Sequence, residues 1–94
     1  MASPVGQTPV NGIQVTVRYF AAARAAAGAE SETVVLRSGT TVGELVERLA
    51  IPGSRLAAVL SRCSYLCDGV AVRDETTALR AGNTVDVLPP FAGG

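Results

Sequence analysis

The eight residues from Ile13 to Phe20 leave the chain few ways to fold. Ile13, Val15, Val17 and Tyr19 fall on one face of an extended strand; Gln14, Thr16, Arg18 and Phe20 fall on the other. One apolar face calls for a sheet that is covered on one side. Ala21 to Ala27 is alanine around Arg24, the best helix-forming composition, and Gly28 stands where a left-handed cap would end the helix. Glu32 to Leu36 then returns as a second strand. The connection is short for a parallel crossover, so the two strands are expected to pair antiparallel.

A second helix follows. Thr41-Val42-Gly43-Glu44 reads as a capping box: the Thr41 side chain accepts from the N–H of Glu44, and the Glu44 carboxylate reaches back to Thr41. Val42, Leu45, Val46 and Leu49 form an apolar stripe at helical spacing. Glu44 and Arg48 are set for an i,i+4 ion pair, and Pro52-Gly53 stops the helix. Ser54 to Arg62 reads as a shorter helix with Leu56, Val59 and Leu60 inward. Tyr65 to Cys67 and Val70 to Val72 are short strands around an Asp68-Gly69 hairpin turn. Leu79 anchors the connector from Asp74 to Gly82.

The last strand, Thr84 to Leu88, runs into Pro89-Pro90, which locks φ twice, offers no N–H and ends the strand. Phe91, Ala92, Gly93 and Gly94 complete the chain as given. Fraying is the ordinary fate of a chain end. Here the Pro pair sets the exit direction, Phe91 and Ala92 supply apolar grip, and the glycines leave the final carboxylate unobstructed. Extended, Pro89 to Gly94 spans about 20 Å, enough to carry a carboxylate into another protein's active site.

Composition narrows the chemistry. The sequence has no histidine, and its basic residues are all arginine, eight against eight carboxylates. The commonest general acid–base, the commonest metal ligand and the Schiff-base nucleophile are therefore missing. Such a chain is expected to be a carrier or substrate, a non-catalytic partner of enzymes. The balanced charge and the four aromatic residues, Tyr19, Phe20, Tyr65 and Phe91, provide no surface for nucleic acid. Cys63 and Cys67 have no further ligands with which to complete a zinc site and lack C-x-x-C spacing, so they are read as inert thiols of a reducing cytoplasm. Glu44 and Glu47 are read as a solvated helix face. No run is long enough to span a membrane, and Met1 to Gly12 lacks the regions of a signal peptide.

The expected organisation is a flexible leader over 1–12, a domain over 13–88 and a tail over 89–94. The order of elements, with first and last strands adjacent and parallel, is that of an α+β, ubiquitin-like β-grasp: a mixed sheet with one main helix packed on one face. The expected core is Val15, Val17, Tyr19, Val34, Leu36, Leu45, Leu49, Leu56, Leu60, Leu66, Leu79, Val85 and Val87. Phe20 and Leu88 each end an otherwise polar strand face. With those strands adjacent, the two lie side by side on the open sheet face, with Ala71 beside them, as a docking patch next to the tail.

The run Val17-Arg18-Tyr19-Phe20-Ala21-Ala22-Ala23-Arg24-Ala25-Ala26-Ala27-Gly28 resembles the V-x-x-F-A-x-x-R-x-x-x-G opening of the small, sulfur-carrying subunit of molybdopterin synthase. The closing Val85-Asp86-Val87-Leu88-Pro89-Pro90-Phe91-Ala92-Gly93-Gly94 resembles its V-x-x-x-P-P-x-x-G-G ending. The capping-box helix, the Asp68-Gly69 turn and Thr77-x-Leu79-x-x-Gly82 fit as well. The sequence departs at Asn83, where Asp is usual, at Phe91, where a small aliphatic is commoner, and in its leader.

The resemblance implies a mechanism. An ATP-dependent activating enzyme of the ubiquitin-activating type adenylates the Gly94 carboxylate, sulfur replaces the adenylate, and the thiocarboxylate enters the large subunit and sulfurates a pterin precursor. It also implies that Phe20, Ala71, Leu88, Pro89, Pro90, Phe91 and Ala92 meet the partners, that Gly93 keeps the tail thin, and that the chain binds no cofactor of its own. The same fold and ending serve sulfur carriers for thiamine or cysteine, and protein modifiers that form isopeptides through a terminal glycine.

Overall fold

The computed structural model describes residues 11–90. Its elements run β1 (Gly12–Tyr19), α1 (Ala21–Ala27), β2 (Ser31–Arg37), α2 (Val42–Leu49), α3 (Arg55–Leu60), β3 (Ser64–Cys67), β4 (Val70–Ala71) and β5 (Thr84–Leu88). They form a five-stranded sheet in the order β2-β1-β5-β3-β4. β1 and β5 pair in parallel; every other pairing is antiparallel. This is the mixed β-grasp sheet that the alternation pattern predicts, with element ends shifted by a residue or two.

The core is one cluster between the sheet and the helices. Val15, Val17, Tyr19, Val85 and Val87 line the inner face of the central strands; Ala23, Val42, Leu45 and Leu60 come from the three helices. Ile13, Ala23 and Val42 join the expected set, while Leu49 and Leu56 pack against the cluster only partly buried. Leu66 does not belong to it. It lies opposite Asp86, whereas its neighbours Tyr65 and Cys67 lie opposite the core residues Val87 and Val85. Successive residues of a strand point to opposite faces, so the pairing register sends Leu66 to the outer side.

The helix ends form much as the residues specify. Thr41 Oγ1 accepts from Glu44 N at 3.1 Å, and Glu44 Oε1 accepts from Thr41 N at 2.9 Å, completing the capping box. That cap takes the Glu44 carboxylate, and Arg48 instead donates from Nη1 to the Val35 carbonyl at 3.0 Å. The expected Glu44–Arg48 ion pair therefore does not form: among the described residues the ion pairs are Arg18–Asp86 and Arg24–Glu30. The connector runs against the start of α2: Val42 N donates to Thr77 O, Leu79 N donates to Thr40 O, and Leu79 is buried.

Among the described residues, two turns place a residue other than glycine in the left-handed backbone. Asp68 (φ 49°) and Gly69 (φ 82°) make the β3–β4 turn. Asp68 also accepts from Asn83 Nδ2 at 2.6 Å and from Thr84 N at 2.7 Å, joining the hairpin to the start of β5. An aspartate in place of Asn83 has no N–H for this bond. Ala21 has φ 49°, because Phe20 is the only residue between β1 and α1 and the chain must turn sharply there. That conformation is strained for a residue with a Cβ.

Candidate functional site

Among the described residues, helices cover one face of the sheet and none lies on the other, and that second face is built in rows. Ser31, Arg18, Asp86, Leu66 and Ala71 stand in register across all five strands. In the neighbouring row Leu88 lies opposite Ser64. Phe20 extends that row: its N–H donates to the Val87 carbonyl at 3.2 Å, continuing the parallel ladder one residue past the end of β1. Phe20 thus stands level with Leu88.

Phe20 is 38% exposed and Leu88 is half-buried. Ala71 is exposed on the same face but is separated from Leu88 by a row and a strand, because its partner across the hairpin is Leu66. Leu66 therefore fills the place in the patch that the sequence reading reserved for Ala71. The strand alternation could have shown this, because Leu66 alternates with the inward-facing Tyr65 and Cys67.

An ion pair sits at the centre of the face. Asp86 is 5% exposed although it is on the outer side. Arg18 donates to it through Nε at 2.6 Å and Nη2 at 2.9 Å, a planar fork on one carboxylate. These bonds and the carboxylate charge raise the Arg18 guanidinium above its already high ordinary value, so it is always charged. The Arg18 guanidinium carbon lies 5.6 Å from the centre of the Phe20 ring, within cation–π range. Strand alternation puts Arg18 and Asp86 on the same face, and the signal for their pairing is opposite charge at one register position of adjacent strands.

The tail leaves from the same end of the sheet. Pro89 is buried and Pro90 exposed. Both line a groove with Ala22, Ala58 and Val59 of the helix layer, flanked by Arg55 and Arg62. The exit of the chain is thus held by α1 and α3. Phe91, Ala92, Gly93 and Gly94 lie outside the described residues.

The remaining reactive groups lie away from this face. Burial pushes the Cys63 thiol up. Burial, and then the Asp68 charge, does the same at Cys67. Both cysteines are free and half-buried, in keeping with inert thiols. Among the described residues no cluster of three or more His, Cys, Asp or Glu could hold a metal, and no helix is long and apolar enough to cross a membrane.

The geometry has close relatives. The chain is 30% identical over 83 residues to the molybdopterin synthase sulfur carrier subunit of Chlamydomonas reinhardtii, covering 87% of this chain and 100% of the relative. It superposes on the HVO 2177 protein of Haloferax volcanii with a TM-score of 0.79 at 25% identity, covering 100% of both chains. A chain in the complex of subunits 1 and 2 of the molybdopterin-converting factor from Helicobacter pylori shares the fold, with a TM-score of 0.65 at 22% identity over 87% of this chain and 100% of that one. So does small archaeal modifier protein 1 of H. volcanii, with a TM-score of 0.71 at 23% identity over 86% of this chain and 99% of that one. The model of the ThiS family matches residues 17–94, and the chain belongs to that family of ubiquitin-like sulfur carriers.

Proposed function

We propose that this chain is the sulfur-carrying small subunit of molybdopterin synthase. The observation that carries the reading is the joint placement of Phe20 and Leu88 on an uncovered sheet face at the end where the Pro89-Pro90 exit leads to Gly93-Gly94. The identity to the C. reinhardtii sulfur carrier subunit supports it. The H. pylori complex supports a large-subunit partner.

The chemistry follows from the terminal carboxylate, a poor electrophile as it stands. In the proposed sequence a carboxylate oxygen of Gly94 attacks the α-phosphorus of ATP on an activating enzyme, and pyrophosphate leaves. A sulfide-equivalent sulfur then adds to the acyl carbon, AMP leaves, and a thiocarboxylate remains. The tail next enters the large subunit, where the thiocarboxylate sulfur attacks a carbon of the pterin precursor and displaces its oxygen substituent; water then cleaves the acyl–sulfur bond, which leaves the sulfur on the pterin and returns the Gly94 carboxylate. The catalytic groups belong to the partners, and this chain supplies fit: a docking face, a directed exit and a glycine end slim enough for a narrow channel.

The test is intact mass after incubation with ATP, the activating enzyme and a sulfur donor. Exchange of one oxygen for sulfur adds about 16 Da, while full transfer to the precursor needs the native length. Deleting Gly94, or adding a residue after it, moves the carboxylate by about 3.5 Å. Such a displacement should abolish transfer and leave the fold intact. Full transfer by either variant would overturn the reading. Complementation of a strain that lacks only its molybdopterin synthase small subunit, but not of strains that lack the thiamine or cysteine sulfur carrier, separates the carriers; a ladder of conjugates on immunoblots would favour a modifier.

A further inference from the structure

The ion pair at the centre of the uncovered face does more than the fold requires. Asp86 accepts both bonds through one side of the Arg18 fork, Nε and Nη2. Among the described residues Nη1 has no hydrogen-bond partner, and the Arg18 side chain is 52% exposed while that of Asp86 is 7% exposed. The buried carboxylate thus fixes the guanidinium plane and leaves its far edge, with its N–H groups, facing solvent. The surroundings are mixed: Ser31 stands opposite Arg18 on β2, Leu66 and Ala71 continue the row beyond Asp86, and the Phe20 ring lies against the guanidinium.

We propose that Arg18, held by Asp86, is the specificity-determining contact of the docking face. Its Nη1 edge donates to an acceptor, a carboxylate or main-chain carbonyl, which the large subunit presents between apolar residues that cover Phe20, Leu66 and Leu88. The inference rests on the proposed function for the identity of the partner. Three observations on this face select that chemistry. The outward donors need acceptors once water is removed. The planar, pre-oriented fork loses little freedom on binding. The patch is continuous with the exit of the tail that the same partner must receive. A partner offering only apolar side chains here would strand the guanidinium edge without an acceptor, so the contact rejects wrong partners as well as attracting the right one.

Calorimetric titration of the full-length chain against the large subunit tests this. Arg18→Ala should bind about tenfold more weakly or worse, as an interface anchor does. Arg18→Lys should not restore affinity, because one ammonium cannot grip both Asp86 oxygens and also hold a planar edge outward. A third variant guards against a folding defect: Arg18→Leu with Asp86→Leu replaces the whole pair by apolar groups, which folded proteins tolerate. It should keep its melting transition and still bind about tenfold more weakly. Arg18→Ala in a Phe20→Ala background should lose less than in the native chain, because the two side chains stack. Native affinity for the folded double-leucine variant overturns the inference and leaves the function intact. A native chain that does not bind the large subunit overturns both.

Discussion

The Phe20 N–H donates to the Val87 carbonyl oxygen at 3.2 Å, one residue beyond the last paired residue of β1. That bond ties the start of α1 to the last strand and brings Phe20 level with Leu88, the residue before the Pro-Pro exit. The proposed docking residue and the root of the tail are therefore tied to one another through the backbone. A partner that grips Phe20 also sets where the tail begins.

Phe20→Ala and Leu88→Ala should each weaken binding to the large subunit and to the activating enzyme. A loss of about 2 kcal/mol or more is expected for a hot-spot aromatic. Phe20 is on the surface, so its truncation should leave the thermal midpoint nearly unchanged. Titrations of both variants against both partners check this; native affinity for all four pairings would move the docking face elsewhere.

Leu45 is fully buried between α2 and the sheet. Leu45→Ala should cost about 2–5 kcal/mol, a large share of the stability of a domain this size. Urea denaturation measures it directly, and an unchanged midpoint would remove Leu45 from the core.

Ala21 carries φ 49° at the first turn of α1. A Cβ costs about 1–2 kcal/mol there, and glycine gives back about 0.5–1 kcal/mol through its looser unfolded chain. Ala21→Gly should therefore stabilise the protein by about 0.5–1 kcal/mol. A lower melting temperature for the variant would show that the backbone is not strained at this position.

Asn83 donates to Asp68 and accepts from Arg80 N at 2.6 Å, closing the junction of hairpin and last strand. Asn83→Asp removes the donor and sets two carboxylates against each other. Expected destabilisation is about 1–3 kcal/mol, the cost of losing a charged hydrogen bond. Equal stability of variant and native chain in urea would show that the network contributes nothing.

Stability should fall in strong alkali. Burial, the bond donated to Glu32 and the Glu32 charge all raise the Tyr19 phenol. Burial raises Tyr65 too, followed by the Cys63 and Glu75 charges. A raised value means that the unfolded chain gives up its phenol protons first, from about pH 10. The unfolded state then binds fewer protons than the folded one, so stability decreases as pH rises above that point. Stability curves of the native chain and of Tyr19→Phe between neutral pH and pH 11 should diverge, with the variant losing less over that range.

The elements were legible in the sequence because their signals are local. The alternation of β1, the capping box of α2 and the Asp68-Gly69 turn each need only neighbouring residues, and the structure reproduces all three. The sequence also carried the pairing of Phe20 with Leu88, since two strand faces and one parallel ladder suffice to place them. The structure alone decided what depends on register between distant segments. Leu66 left the core because it meets Asp86. Asp86 became buried because Arg18, 68 positions away in the chain, closes over it. Arg48 turned from Glu44 to the Val35 carbonyl because the cap had already claimed the carboxylate. Backbone periodicity assigns a side chain to a face, but its neighbours on that face come from other strands, and only the folded pairing says which they are.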